Sequence, residues 1–140
     1  MKQFQIPYKN DEEFLGKLKE IKQWRTSHSG YVTIFRIYSE DMELEHIRHI
    51  CACLDDEMPD ALYLGCTTNA NIMDGALSDA KIILTCTIFE YETTQAKILQ
   101  FHFMEKNAAE DVALLKKYCD ENTWVQVLDL RKPFWISSES

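Results

Sequence analysis

Three groups of residues carry side chains whose types and spacing could do chemistry. The first is the run Gly65-Cys66-Thr67-Thr68-Asn69-Ala70-Asn71, which leaves the apolar stretch 61–66. Hydroxyls, amides and backbone N–H groups at the end of a buried strand can hold a small polar molecule, and α/β sheets place ligands at such ends. The plainer reading is that Thr and Asn here serve turn geometry and bond their own backbone. The second group is His46, His49 and Cys53, at i, i+3 and i+7 of a helix, with Asp56 extending the stripe. These are zinc-ligand types on one face. One helix seldom supplies three ligands, however, and Glu43, Glu45, Asp55 and Asp56 around the stripe mark a solvated surface. No metal or other cofactor is expected. The third is Cys66 as a nucleophile with His102 as its base. No cysteine-hydrolase motif surrounds either residue, and cysteine is among the most often buried types, so core filling is the stronger reading.

Other catalytic signatures are missing. The chain has no P-loop, GxGxxG, Gly-x-Ser-x-Gly or HExxH pattern, and its four glycines leave little material for a phosphate cradle. An enzyme is therefore the weaker class and a binding module the stronger.

The elements that must position these residues can be read from patterning. Asn10 followed by Glu13 forms a capping box for a helix to about Arg25, with Phe14, Leu18, Ile21 and Trp24 as its apolar stripe. Residues 4–6 are too short a run to assign. Residues 31–38, rich in β-branched and aromatic types, form a strand. Ser39 then reads as the N-cap of a helix over 40–57 with Leu44, Ile47, Ile50, Cys51 and Leu54 facing the core. Strand, helix and the strand at 61–66 make a βαβ unit, so the two strands should be parallel neighbours. Continuous apolar runs such as 82–89 suit the interior of a sheet. Gly65 and Gly75 are best explained by backbone conformations that a Cβ would forbid. Residues 81–91 and 96–103, joined by four residues, read as an antiparallel pair. Asn107 opens a third helix burying Ala108, Val112, Leu115 and Cys119, and 124–130 is a last strand. The fold class is α/β leaning to α+β: a mixed sheet with one parallel βαβ unit, further antiparallel strands, and helices packed on the sheet. There is no repeat and no convincing boundary, so 1–140 reads as a single domain.

Composition narrows the partners. With 15 basic against 23 acidic residues the net charge is −8, which argues against a nucleic-acid footprint and against an anionic membrane surface. No apolar run approaches the roughly 20 residues that span a bilayer, and the start has no signal-peptide core. Five cysteines without a Cys-x-x-Cys pair read as reduced thiols in a cytoplasmic protein.

The segment Gly65-Cys66-Thr67-Thr68, a short polar turn, Met73-Asp74-Gly75 and a second apolar strand resembles the FIST N-terminal domain. The resemblance spans roughly 31–130, with 65–75 its distinctive part. Ala70 and Asn71 depart from the family's glycine and acidic residue. It implies an intracellular sensory domain of bacterial-type signalling proteins that binds a small ligand such as an amino acid. Gly65, Cys66, Thr67, Thr68, Asn69 and Asn71 would line the site. A C-terminal output domain, such as a diguanylate cyclase, histidine kinase or chemoreceptor, would follow, and this chain would be part of a longer protein. The alternative is an interaction or dimerisation module without a small ligand, and a small thiol enzyme comes third. Apolar residues on both faces of 124–130, followed by Phe134 and Trp135, lead to the expectation of an under-covered surface and a homodimer.

Overall fold

The computed structural model describes residues 1–28, 32–90, 95–98 and 108–121. They fall into two compact units, one within 1–98 and one containing the helix Ala108–Glu121.

In the first unit the chain begins with a strand, β1 (Lys2–Tyr8), although residues 4–6 gave no clear sequence signal. Its pattern is a strict alternation, with Phe4, Ile6 and Tyr8 on the core side and Gln3 and Gln5 on the other. Pro7 is tolerated because β1 is the edge strand. The helix α1 (Asp11–His28) follows, and the Asn10 side chain caps it by accepting the Glu13 N–H at 2.9 Å. It runs three residues beyond Arg25. Thr26 and Ser27 do not stop it, because their hydroxyls donate back to the Lys22 and Gln23 carbonyls at 3.0 and 3.1 Å. His28 stacks on Trp24, with ring centroids 4.2 Å apart.

Next come β2 (Val32–Ser39), α2 (Leu44–Glu57) and β3 (Leu62–Thr67). β2 and β3 are parallel neighbours, as the βαβ reading requires, in a register from Ile34 opposite Leu62 to Ser39 opposite Thr67. Helix α2 starts four residues later than expected. Ser39 is not its N-cap: it is the fully buried last residue of β2, and its hydroxyl closes a local turn with the Asp41 backbone. Leu44, expected in the core, sits exposed at the helix start, while Ile47, Ile50 and Leu54 are buried.

Residues 68–81 carry a small hairpin of β4 (Ile72–Met73) and β5 (Ala76–Leu77). Its two-residue turn is Asp74-Gly75, both at positive φ (53° and 79°), which is type I′ chemistry. A Cβ on Gly75 would meet nothing within 4 Å, so conformation and not space demands the glycine. The apolar strand β6 (Ile82–Phe89) then enters between β1 and β2, antiparallel to both, giving the order β1-β6-β2-β3. β1 and β2 are therefore parallel to each other, and β1-α1-β2 is a second crossover, split by β6.

Both helices pack on one sheet face. Phe14, Leu18 and Ile21 of α1 and Ile47, Ile50 and Leu54 of α2 share a core with Ile6, Phe35, Ile37, Leu84, Cys86 and Ile88. The fold is α/β with a mixed sheet. Among the described residues no helix is long and apolar enough to cross a membrane.

In the second unit, α3 (Ala108–Glu121) forms where the sequence places it, with Val112 exposed and Leu115 half-buried. Of the expected strand 96–103, residues 96–98 have no regular structure and the rest lie outside the described residues, as do Asn107, 124–130, Phe134 and Trp135.

Phe35 is fully buried at the centre of the core, and its replacement by Ala is expected to cost about 3–5 kcal/mol. Urea unfolding measures this, and a loss under about 1 kcal/mol would contradict the packing described.

Candidate functional site

One row of residues crosses the sheet at the carboxyl ends of its parallel strands. Tyr8 lies opposite Ile82, Ile82 opposite Ser39, and Ser39 opposite Thr67. The carboxyl ends of β1, β2 and β3 thus share one edge, and α1 and α2 begin just beyond the first two. In open α/β sheets this edge is where ligands sit.

The polar loop after β3 is held against that edge by a latch. The Thr68 N–H donates to the Ser39 carbonyl at 2.8 Å. The Asn71 N–H donates to Glu40 Oε1 at 2.8 Å, and its side-chain Nδ2 donates to the Ala80 and Lys81 carbonyls at 3.4 and 3.2 Å. The Asn71 carbonyl accepts from the Ser78 N–H at 2.8 Å. Glu40 completes the closure, donating its backbone N–H to the Lys81 carbonyl at 2.8 Å and accepting the Lys81 ammonium at 3.4 Å. Asn71 is 6% exposed, and its amide closes the 71–81 loop.

The sequence-selected loop residues therefore divide into three sets. Gly65 and Cys66 lie within β3; Gly65, opposite Ile37, is buried, whereas Cys66, opposite Tyr38, belongs to the sheet face away from α1 and α2. Asn71 is internal to the latch. Thr67, Thr68 and Asn69 sit at the edge itself; Asn69 is exposed, and Thr68 donates its hydroxyl to the Ala70 carbonyl at 2.9 Å. His102 lies outside the described residues.

The histidine stripe of α2 also divides. His46 Nδ1 turns to Asp41 Oδ2 at 2.5 Å, and Asp41 Oδ1 accepts the Glu43 N–H at 2.8 Å just before the helix. The hydrogen bond and charge of Asp41 push the His46 pKa up, and the His46 bond holds the Asp41 carboxyl below its usual range. His49 instead faces α1. Its Nε2 lies 2.9 and 2.8 Å from the two oxygens of Asp11, with Cys53 Sγ 3.7 Å from the same nitrogen. The Tyr8 hydroxyl donates to Asp11 Oδ1 at 2.6 Å. That bond, and then His49, hold the Asp11 carboxyl low, while burial and Asp11 push the Tyr8 phenol up to about 12. Burial, with Asp11, Asp56 and Glu57, also raises the Cys53 thiol.

Asp11 and Tyr8 were not selected from sequence. Asp11 looks like an ordinary first-turn acid serving the helix dipole, and only the placement of α1 beside α2 brings it to His49.

Two outcomes follow from this geometry. Asn71→Ala should lose about 1–3 kcal/mol in urea unfolding, since it removes the donor to the buried Ala80 carbonyl, whereas Asn69→Ala should stay within about 0.5 kcal/mol. Equal effects would refute the latch. Because the folded pKa of His46 is raised, its stabilisation is complete below the ordinary histidine value of about 6.5 and fades as pH climbs through the folded value. His46→Gln should flatten the urea midpoint against pH in that window, and an unchanged slope would rule out the pair's contribution.

Neither a family model, nor a curated protein, nor a solved structure matches the chain.

Proposed function

We propose that this chain is a cytoplasmic sensory input domain that binds a small polar ligand at the carboxyl edge of its sheet. The observation that carries the reading is the convergence of three parallel strand ends on one edge, beneath the polar residues Thr67, Thr68 and Asn69. Lys81, with its side chain 72% exposed, and the acids Glu40 and Asp41 put both signs of charge beside this edge. A zwitterion such as an amino acid needs both. Binding would bias the latched loop between two arrangements, and a C-terminal output domain of the kind found beside FIST modules would read the difference. Cys51 and Cys86 are poor candidates for a nucleophile, since burial pushes their thiols up to about 11 and 12 and a nucleophilic thiol needs the opposite shift.

A second reading, an interaction or dimerisation module, draws on the exposed hairpin. Ile72 and Leu77, paired across β4 and β5, are 68% and 77% exposed.

A thermal-shift panel of amino acids and small metabolites separates the two. The first reading expects at least one compound to stabilise the chain, by about 2.7 kcal/mol at a hundredfold excess over Kd. Asn69→Ala and Lys81→Ala should weaken that response. Silence across the panel, with a dimer in sedimentation that dissociates in Ile72→Ser/Leu77→Ser, would overturn it in favour of the second.

A further inference from the structure

We infer that Asp11, His49 and Cys53 form a binding site for a thiophilic divalent cation of the zinc class, joining the first turn of α1 to the middle of α2. The ligand atoms of these three residues all lie within 4.8 Å of one another. Their types are a carboxylate oxygen, an imidazole nitrogen and a sulfur, the mixed set that zinc accepts. The site goes beyond the small-ligand reading and does not depend on it.

The geometry separates this from a catalytic triad made of the same residue types. In a nucleophile–histidine–acid relay, the acid holds one ring nitrogen and the nucleophile uses the other. Here Asp11 and Cys53 both approach Nε2 of His49. A relay cannot pass through a single nitrogen, whereas ligands of one ion must converge on one point.

The three ligand atoms, none more than 4.8 Å from another, lie within a small shift of the spacing such an ion sets. Zinc bonds of about 2.3 Å to sulfur and about 2.0–2.2 Å to nitrogen and oxygen set tetrahedral edges of roughly 3.3–3.6 Å. The Cys53–His49 edge, at 3.7 Å, is already near this value. The Asp11–His49 edge, at 2.8 Å, opens by about half an ångström as the ion takes the place of the hydrogen bond. His49 and Cys53 are four apart on α2, hence on one face. The Tyr8 hydroxyl on Asp11 Oδ1 orients the carboxylate and leaves Oδ2 to the metal, the second-layer support that metal carboxylates commonly have. Asp11 and His49 are about half exposed, so the fourth position opens to water. Asp56 and Glu57 add negative charge next to Cys53. His46 takes no part, because Asp41 holds it elsewhere.

Titration of the reduced full chain with Co(II), followed by displacement with Zn(II), tests the site. The expected result is a single equivalent giving tetrahedral visible bands and a thiolate-to-cobalt charge-transfer band, with zinc removing both. Cys53→Ser should abolish the charge-transfer band, and His49→Gln and Asp11→Asn should each weaken binding tenfold or more. Cys51→Ser and His46→Gln should behave as the parent. Circular dichroism checks that each variant folds; should Cys53→Ser fail, the half-exposed Asp11→Asn decides. No tetrahedral spectrum, a thiolate band that survives Cys53→Ser, or equal losses in Cys51→Ser and His46→Gln would each overturn the proposal.

Discussion

Burial of β6 on both of its faces is the constraint from which the rest of the architecture follows. Six of its eight residues are buried, which only a central position satisfies. To reach that position β6 enters between β1 and β2, antiparallel to each. The two crossovers, β1-α1-β2 and β2-α2-β3, then step across the sheet in the same direction, so a common hand puts both helices on one face. Strand β6 also runs against its neighbours, so its first residue, Ile82, stands beside the last residues of β1 and β2. The loop that feeds β6 must therefore arrive at the carboxyl edge. Placing the polar segment 67–81 there is a consequence of strand order, not a separate design.

The helix pair is held mainly by its apolar seam, and the polar pairs at its margin add little stability. Lys22–Glu57, Arg25–Asp60 and Asp11–His49 run along the α1–α2 boundary, and most of their side chains are substantially exposed. Exposed pairs contribute about 0–1 kcal/mol each. The fully buried Phe14, Leu18, Ile21, Ile50 and Leu54 each contribute more, at roughly 1.5–3 kcal/mol. The packing of α1 beside α2 brings the Asp11 carboxylate to His49.

What was legible in sequence was whatever depends on local periodicity. The apolar stripe of α1, the β-branched and aromatic content of β2, the parallel β2–β3 pair and the buried run of β6 all follow from local pattern, whereas the alternating burial of β2 appears only in the structure. The start of α2 was not legible, because Ser39 serves equally as a cap or as the end of a strand, and the hydroxyl turn to Asp41 decides between them. The need for a glycine at 75 was legible, and its positive φ bears that out, but the hairpin of β4 and β5 around Asp74-Gly75 was not read from sequence. The convergence of Asp11 with His49 and Cys53 was invisible, since 38 residues separate Asp11 from His49. Read along α2 alone, His46, His49 and Cys53 share one stripe and no metal is expected of it; helix packing sends His46 to Asp41 and brings Asp11 of α1 to His49.

Asn71 shows why residue type cannot by itself separate a ligand contact from a fold contact. An amide facing a ligand and an amide facing two backbone carbonyls have the same hydrogen-bonding inventory, and both occur at strand ends. The distinction lies in where the carbonyls go. Residues 80 and 81 precede a buried strand, and their oxygens need donors wherever the edge excludes water. Asn71 supplies those donors, while its own N–H finds Glu40, a side chain that is 17% exposed. The loop is thereby closed without consuming Asn69 or fully neutralising Lys81, whose 3.4 Å contact with Glu40 is long for an ammonium–carboxylate bond. Ligand binding as proposed at this edge would draw on both parts: a hydrogen-bonded base lowers the ordering entropy of binding, and a loosely engaged rim has groups that can exchange their partners for those of a ligand.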